Sequence, residues 1–192
     1  MRSFSMAGCA AILFAFMVVP AAPAPTQTPP DWGKADASGV QIRLQAVKRV
    51  RPSTETPSLT LDLRNTGSKT ALYFGLGQEC LIEVDGHWYA WSEPISINMP
   101  ARQLFPGKEK DGAVTVELTA VWFTRSDVPD WDGESAGDIK GITQLKLSPG
   151  KHTVRVKFPF EFESTEKPVK VISNPVEIEV EAASSATSAL QH

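Results

Sequence analysis

The stretch ECLIEVDGHWYAWSEP, residues 79–94, decides the fold, because it reads as two short β-strands around one tight turn. Its centre is Asp85-Gly86, and this dipeptide between two strand-like runs favours a two-residue type I′ hairpin. A turn of that length fixes the register of the two strands. The predicted pairs are Val84–His87, Glu83–Trp88, Ile82–Tyr89, Leu81–Ala90 and Cys80–Trp91.

The two faces of this hairpin differ in polarity. Directly opposed residues lie on the same side of a sheet. One side therefore carries Cys80, Ile82, Val84, Tyr89 and Trp91, and the other carries Leu81, Glu83, Trp88 and Ala90. We expect the first side to pack into the core, with Cys80 as a small buried hydrophobe. A three-residue loop would shift the register by one and exchange the two faces.

Alternation of apolar and polar residues recurs along the rest of the chain. This period of two predicts strands with one buried and one solvated face, and no segment shows a helical period over the length that a helix needs. The alternating runs are VQIRLQA (40–46), SLTLDLR (58–64), AVTVEL (113–118), HTVRVKFPFEFE (152–163) and PVEIEVE (175–181). The pattern predicts an all-β, Ig-like antiparallel β-sandwich of about seven to nine strands. Pro159 cannot donate to a ladder, so we expect its strand to lie at an edge or to be bulged there.

Composition divides the chain into four parts. Residues 1–24 contain one arginine near the start, then an apolar run, and then the small residues Ala22-Pro23-Ala24. This order is typical of a secretory signal peptide. Residues 25–35 form a proline-rich spacer, residues 36–181 the β-sandwich, and residues 182–192 a flexible polar tail. We therefore predict a secreted or periplasmic protein without a stable membrane span after cleavage. Retention of the first segment as an anchor is the alternative.

Charge and cysteine content exclude several classes of partner and cofactor. Without residues 1–24 the chain has 18 basic and 22 acidic residues, a net charge of −4. Nucleic-acid binding needs clustered Lys and Arg, so no nucleic-acid partner is predicted. Cys80 is then the one cysteine, which excludes an internal disulfide, and three scattered histidines do not form a zinc site. We predict a monomer without a cofactor or a metal.

A short motif raises the possibility of hydrolase chemistry. Gly133 to Gly137 match G-x-S-x-G with Ser135 at the centre, and Asp138 and His152 follow in the order of a catalytic triad. The motif acts in a turn between a strand and a helix, whereas the surroundings here, SDVPDWDGESAGDIKG (126–141), have loop composition. We therefore predict that the chain is not an enzyme, and a loop-based hydrolase is the third interpretation.

The same acidic segment holds a weak calcium candidate. Asp130, Asp132 and Glu134 place alternating carboxylates next to a glycine. The segment lacks the later bidentate glutamate of an EF-hand loop. A plain acidic surface loop is therefore favoured over a calcium site.

Tryptophans outside the predicted core are the candidate ligand-binding residues. Trp88 lies on the polar side of the hairpin, and Trp122 and Trp131 flank the acidic segment. Exposed aromatic side chains of this kind are typical of protein-binding and carbohydrate-binding surfaces. The alternative is that each tryptophan covers an end or an edge of the sandwich.

Several stretches resemble a secreted Ig-like domain of planctomycete-type bacteria. They are Trp32-Gly33 before GVQIRL, TPSLTLDLRNTG, ECLIEVDGHWYAWS, LSPGKHTVRVKF and SNPVEIEV, which together span residues 32–181. In that group the domain is often appended to membrane-anchored zinc metallopeptidases of the β-lactam-sensor type. The residues of this chain include no peptidase domain, so no catalytic residue is carried over. The resemblance implies an accessory or ligand-binding domain.

A looser similarity links the chain to the intracellular proteinase inhibitor family, which is also Ig-like. The matching pieces are LRNTGSKTAL, EVDGHWYAWS and LFPGKE. That family is thought to use a loop against proteases, and its usual compartment differs from that of an exported protein. The sequence thus predicts an exported module that binds a protein or carbohydrate partner at the cell envelope, with a proteinase inhibitor as the alternative.

Overall fold

The computed structural model describes residues 31–46, 50–52, 55–92, 100–125, 142–163, 165 and 167–182. Within these residues the chain forms thirteen β-strands and a single 3₁₀ turn at Gly77–Glu79. The strands are β1 (Val40–Ala46), β2 (Val50–Pro52), β3 (Ser58–Asn65), β4 (Ala71–Tyr73), β5 (Leu81–Val84), β6 (His87–Trp91), β7 (Arg102–Leu104), β8 (Glu109–Glu117), β9 (Trp122–Arg125), β10 (Ile142–Gln144), β11 (Gly150–Phe160), β12 (Val169–Ile172) and β13 (Val176–Glu181). The all-β prediction is confirmed. The predicted number of strands is too low, because β2, β4, β7 and β10 are each only three residues long.

The strands form two packed layers and a small third sheet. β1, β3 and β8 make a three-stranded sheet, and a second sheet of eight strands has the order β10-β9-β6-β5-β11-β13-β2 with β12 added along β11. β4 and β7 pair with each other. The described pairs are antiparallel except β13–β2, which is parallel. The predicted antiparallel β-sandwich is confirmed, with β13–β2 as one parallel pair at its edge.

The core lies between the two larger sheets and is built from the alternating apolar residues. The fully buried positions include Val40, Ile42, Leu44, Leu59, Leu61, Leu63, Val154, Val156, Phe158 and Phe160, each 0 % exposed. Burial of each such side chain contributes about 1.5–3 kcal/mol to the stability of the folded state. The period-two prediction is confirmed in β1, β3 and β11, the strands that supply most of these residues.

The central hairpin has the predicted register. β5 and β6 pair Ile82 with Tyr89, Glu83 with Trp88 and Val84 with His87. Asp85 and Gly86 have φ values of 51° and 87°, the left-handed conformations that a type I′ turn requires. Cys80, Ile82 and Val84 belong to the core, and Tyr89 and Trp91 pack half-buried against it. The apolar side of the hairpin therefore faces inward.

Pro159 lies in the half of β11 that has lost one neighbouring strand. β5 pairs with β11 only as far as Leu81 and Lys157, and Pro159 lies beyond that point, where β12 continues on the other side. Beyond the end of the β5 pairing, the next strand pairing of this segment in the described residues is the isolated β-bridge between Leu72 and Glu161. β11 as a whole is a central strand, with β5 on one side and β12 and β13 on the other, so the predicted edge is present only locally, at Pro159.

The free edge of β1 is closed by groups from distant parts of the chain. The Asn174 side chain accepts a hydrogen bond from Leu44 N at 2.7 Å and donates one to Leu44 O at 3.1 Å. Gly33 N donates to Ile42 O at 2.9 Å, and a Cβ at Gly33 would lie only 2.7 Å from Ile172 O. Only glycine fits this passage between β1 and the end of β12. The edge is thereby protected from pairing with another chain.

Trp32 contacts two strands of the three-stranded sheet. Its indole ring lies 4.6 Å from the guanidinium carbon of Arg43 and 4.3 Å from that of Arg64, both within cation–π range. These arginines belong to β1 and β3, so the indole lies over the three-stranded sheet. Trp32 and Gly33, which the sequence predicts to lie in the proline-rich spacer, thus contact the strands of the sandwich.

Candidate ligand-binding face

Trp88 lies on the outer side of the eight-stranded sheet, in a row with two charged residues. Glu83 opposes Trp88 across β5 and β6, and Arg155 opposes Glu83 across β11 and β5. Opposed residues share one side of a sheet, so the three side chains project from the same side. Trp88 and Arg155 are both half-buried. The predicted outward position of Trp88 follows directly from the hairpin register.

A second row of side chains lies next to the first. Leu81 of β5 opposes Lys157 of β11, and Lys157 opposes Ile172 of β12. The Lys157 ammonium lies 4.6 Å from the Trp88 ring centroid, within cation–π range, so the two rows meet at the indole. Ile172 is 39 % exposed. The surface formed by Glu83, Trp88, Arg155, Lys157 and Ile172 is called the Trp88 face below.

Glu83 and Arg155 form an ion pair within the Trp88 face. Glu83 is buried, and Arg155 Nη2 donates to its Oε1 at 2.7 Å and lies 2.5 Å from its Oε2. A buried carboxylate is tolerated only when it is paired. The Arg155 side chain is 41 % exposed, so the pair also reaches the solvent. With Lys157, the face carries two cations for one carboxylate.

This arrangement suits binding by stacking combined with charge. The indole of Trp88 is a flat apolar surface with a polar N–H, which suits sugar rings as well as aromatic and aliphatic side chains. Ile172 is a further exposed apolar side chain on this side of the sheet, on β12 beyond β5 and β11. Arg155 and Lys157 supply donors for hydroxyl and carboxylate groups. The Trp88 face thus combines a surface for stacking with donors for acidic or hydroxylated groups.

Trp122 is not part of this surface, and its prediction as a ligand-binding residue is wrong. β9 pairs with β6 so that Trp122 opposes Trp91, on the core side. Trp122 is 1 % exposed, its Nε1 donates to Glu117 O at 2.7 Å, and its ring centroid lies 5.3 Å from that of Trp91. The next residue, Phe123, opposes Ala90 and lies on the outer side. The sequence predicts Trp122 and not its neighbour Phe123 as the binding candidate, although alternation along β9 places the two on opposite sides.

The other predicted site residues lie mostly outside the described residues. These are the ligand-binding candidate Trp131, the calcium candidates Asp130, Asp132 and Glu134, and the motif residues Ser135 and Asp138. His152 is described, and both of its ring nitrogens are engaged: Nδ1 lies 2.7 Å from Asp85 Oδ2 and Nε2 lies 2.8 Å from Ser148 O. His152 is therefore not arranged as the base of a serine hydrolase.

A second exposed aromatic residue, Phe105, lies on the turn between β7 and β8 and is 51 % exposed. The turn is held by hydrogen bonds from Lys108 N to Phe105 O at 3.1 Å and from Gly107 N to Asn65 O at 2.7 Å. Gly107 has φ 70°, a conformation that favours glycine. An open cleft of about 400 Å³ beside it is lined by Lys69, Thr70, Leu72, Gln103, Phe105 and Glu163. Phe105 thus lies on a turn fixed by hydrogen bonds, next to this open cleft.

Three further findings are negative. Among the described residues, no three His, Cys, Asp or Glu side chains are grouped so that they could hold a metal ion. The same part of the chain contains no helix that is long and apolar enough to cross a membrane. Comparison with known protein families finds none that fits the sequence, and comparison with curated proteins finds no similar one. The function is therefore inferred from the geometry of the described residues.

Proposed function

We propose that this chain is an exported, non-catalytic Ig-like accessory domain that binds a protein or carbohydrate partner at the cell envelope through the Trp88 face. The observation that carries the proposal is the position of Trp88, half-buried on the outer side of a sheet whose other side forms the core. The predicted signal peptide and the resemblance to secreted Ig-like domains support the same compartment and the same role.

The composition of the Trp88 face supports binding rather than a purely structural role. Large apolar side chains are usually buried, and apolar groups that stay together on a surface mark interaction sites. Phe123 lies on the same side of the sheet as Trp88, on the adjacent strand β9, and Ile172, which is 39 % exposed, lies farther away on β12, beyond β5 and β11. Arg155 and Lys157 add positive charge. A glycan with acidic groups, or an acidic peptide segment, matches this combination.

Replacing Trp88 with alanine tests the proposed binding surface. We expect Trp88→Ala to weaken retention of the ligand by about tenfold or more, because the stacking surface is lost. The melting temperature should change little, since the indole lies outside the core. Affinity electrophoresis in gels that contain envelope polysaccharides measures glycan retention, and pull-down from solubilised envelope proteins measures protein retention.

Phe105→Ala is the matched control for this experiment. It also removes an exposed aromatic ring, but from the β7–β8 turn and not from the Trp88 face, so it should leave retention unchanged. Equal losses in both variants, or full retention by Trp88→Ala, would contradict the proposal. A large fall in the melting temperature of Trp88→Ala would assign the indole a structural role.

A proteinase inhibitor is the second candidate function, and the Phe105 turn is the observation that favours it. A rigid exposed loop costs little entropy when it binds, and the hydrogen bonds at Asn65 and Lys108 fix this turn before any contact with a protease. We expect stoichiometric slowing of a secreted serine protease that prefers aromatic residues. Phe105→Ala should abolish the slowing, and Trp88→Ala should preserve it.

Progress curves with a panel of secreted serine proteases measure this inhibition. The protein is added at a concentration equal to that of the protease, and the variants are compared with the wild type. The absence of slowing with every protease would eliminate the inhibitor function. Inhibition that persists in Phe105→Ala would place the inhibitory element elsewhere.

A further inference from the structure

His152 lies at the end of the core, near the start of β11. It follows the inward alternation of Val154 and Val156, and its side chain is only 9 % exposed. Its Nδ1 lies 2.7 Å from Asp85 Oδ2 in the β5–β6 turn, and its Nε2 lies 2.8 Å from the carbonyl oxygen of Ser148. The ring therefore bridges the hairpin turn and the segment that precedes β11.

Both partners of the imidazole are hydrogen-bond acceptors. A peptide carbonyl only accepts, and an ionised carboxylate only accepts. A neutral imidazole has one N–H donor and one acceptor nitrogen, so one of the two contacts would bring a nitrogen lone pair against an oxygen. Only the doubly protonated ring donates both hydrogen bonds. The geometry is therefore built for the charged form of His152.

Asp85 is fixed in the same network by the backbone of β11. Its Oδ1 accepts a hydrogen bond from Thr153 N at 2.9 Å, and its own N donates to Thr153 O at 3.0 Å. The residue has φ 51° in the hairpin turn. If the carboxylate turned away from His152, it would lose the hydrogen bond from Thr153. Deprotonation of the ring therefore strains contacts that hold the turn.

We infer that His152 and Asp85 form a pH-dependent latch, which holds the β5–β6 turn against β11 while the imidazole is charged and loosens the turn when the imidazole loses its proton. The strand that follows this turn, β6, begins at His87 and includes Trp88. Loss of the latch therefore increases the mobility of the hairpin end next to Trp88. The inference does not rest on the proposed function, because it can be tested without a ligand.

The other titratable groups near the latch are exposed, apart from the half-buried Tyr89. On the surrounding elements they are His87 and Tyr89 of β6, Lys146 before β11, Lys151 of β11, and Glu177 and Glu179 of β13. Lys151 and Glu177 pair with each other at 2.8 Å with side chains 63 % and 60 % exposed, so water screens their effect on the ring. Within the described residues, Asp85 supplies the one carboxylate that contacts His152.

The pKa shifts agree with this geometry. Burial lowers the pKa of His152, but the hydrogen bonds to Ser148 and Asp85 outweigh it and raise the pKa above its ordinary value. Burial likewise raises the pKa of Asp85, whereas the hydrogen bonds from His152 and Thr153 lower it overall. Stabilisation by His152 is complete below about pH 6.5 and is lost as the pH rises through the raised pKa. Stabilisation by Asp85 is complete above about pH 4 and is lost as the pH falls through the lowered pKa.

An NMR titration of the full chain tests the latch. The imidazole resonances of His87, His152 and His192 are followed from about pH 5 to 9, the range in which histidine titrates. We expect the midpoint of His152 to lie above the ordinary value for histidine, about pH 6.5. Amide exchange at Asp85 and Thr153, whose N–H groups donate within the latch, should accelerate as the pH passes that midpoint. After correction for the intrinsic pH dependence of exchange, we expect roughly tenfold for each unit by which the pKa is raised.

Two variants test whether the titration midpoint of His152 depends on Asp85 itself or on any titratable group of the hairpin. Asp85→Asn should lower the midpoint of His152 while keeping the turn, because asparagine tolerates the left-handed conformation. His87→Gln is the matched control on the same hairpin and should leave that midpoint unchanged. The inference is overturned if the His152 midpoint lies at or below the ordinary value of about pH 6.5. It is also overturned if exchange at Asp85 and Thr153 does not respond to the titration. Both readouts use the wild-type protein, so they decide the matter even if a variant fails to fold.

Discussion

The carboxylate of Asp62 is 1 % exposed, although it projects from the outer side of the three-stranded sheet. It accepts hydrogen bonds from Arg43 Nε at 2.8 Å, from Gln45 Nε2, and from Gly112 N at 2.8 Å. Gly112 has φ 55° and lies where the register of β8 shifts opposite Asp62. This one side chain therefore satisfies a bulge N–H and neutralises a neighbouring guanidinium.

Asp62→Ala should lower the free energy of unfolding by about 3 kcal/mol, near the lower end for breaking a buried ion pair. The lower end applies because the Arg43 side chain keeps 17 % exposure and can regain some water. Asp62→Asn keeps an acceptor for Gly112 and should cost less. Urea unfolding followed by tryptophan fluorescence measures both variants.

Glu109→Ala is the control for Asp62→Ala, because it removes the acidic partner of Arg64 on the same sheet. That pair is longer, at 3.5 Å, and the Glu109 side chain is 51 % exposed, so little stability should be lost. Similar small losses in the Asp62 and Glu109 variants would show that the buried network does not stabilise the fold.

At the scale of whole elements, the free edge of β1 depends on Asn174. This side chain satisfies both the N–H and the C=O of Leu44, as a neighbouring strand would. Asn174→Ala leaves these two buried groups unpaired, at a cost of about 1–3 kcal/mol for each. We expect lower thermal stability and concentration-dependent association, because an unpaired edge can accept another chain.

Differential scanning calorimetry and light scattering measure the two consequences of Asn174→Ala. Glu177→Ala, an exposed change on β13, is the control and should alter neither. Asn174→Asp keeps the acceptor for Leu44 N but loses the donor for Leu44 O. Its stability should therefore lie between those of the wild type and Asn174→Ala. A monomeric Asn174→Ala of unchanged stability would show that the edge is closed by other means.

The elements that could be predicted from the sequence are those with a local signal. The Asp85-Gly86 turn gave the register of β5 and β6, and with it the outward position of Trp88. Alternation gave the buried residues of β1, β3 and β11. It did not reveal β4 or β7, because three residues are too few to show a period of two.

At the scale of the whole molecule, the features that were missed depend on contacts between distant parts of the chain. Asn174 meets Leu44 across 130 positions of sequence, and no local pattern indicates that pair. The parallel pairing of β2 with β13 is likewise non-local. Trp122 was assigned to the surface because the pairing of β9 with β6, which turns it inward, depends on which strands become neighbours.

The burial of Cys80 has a consequence for folding under oxidising conditions. Cys80 is 1 % exposed, and burial, together with the nearby charge of Glu79, raises the pKa of its thiol well above the ordinary value. The thiolate is the form that attacks disulfides, so Cys80 offers no reactive sulfur to its surroundings once the core has formed. Covalent cross-linking through Cys80 is thereby confined to chains that have not yet folded. The speed at which the core closes over Cys80 then determines how much of the protein escapes mispairing at this residue.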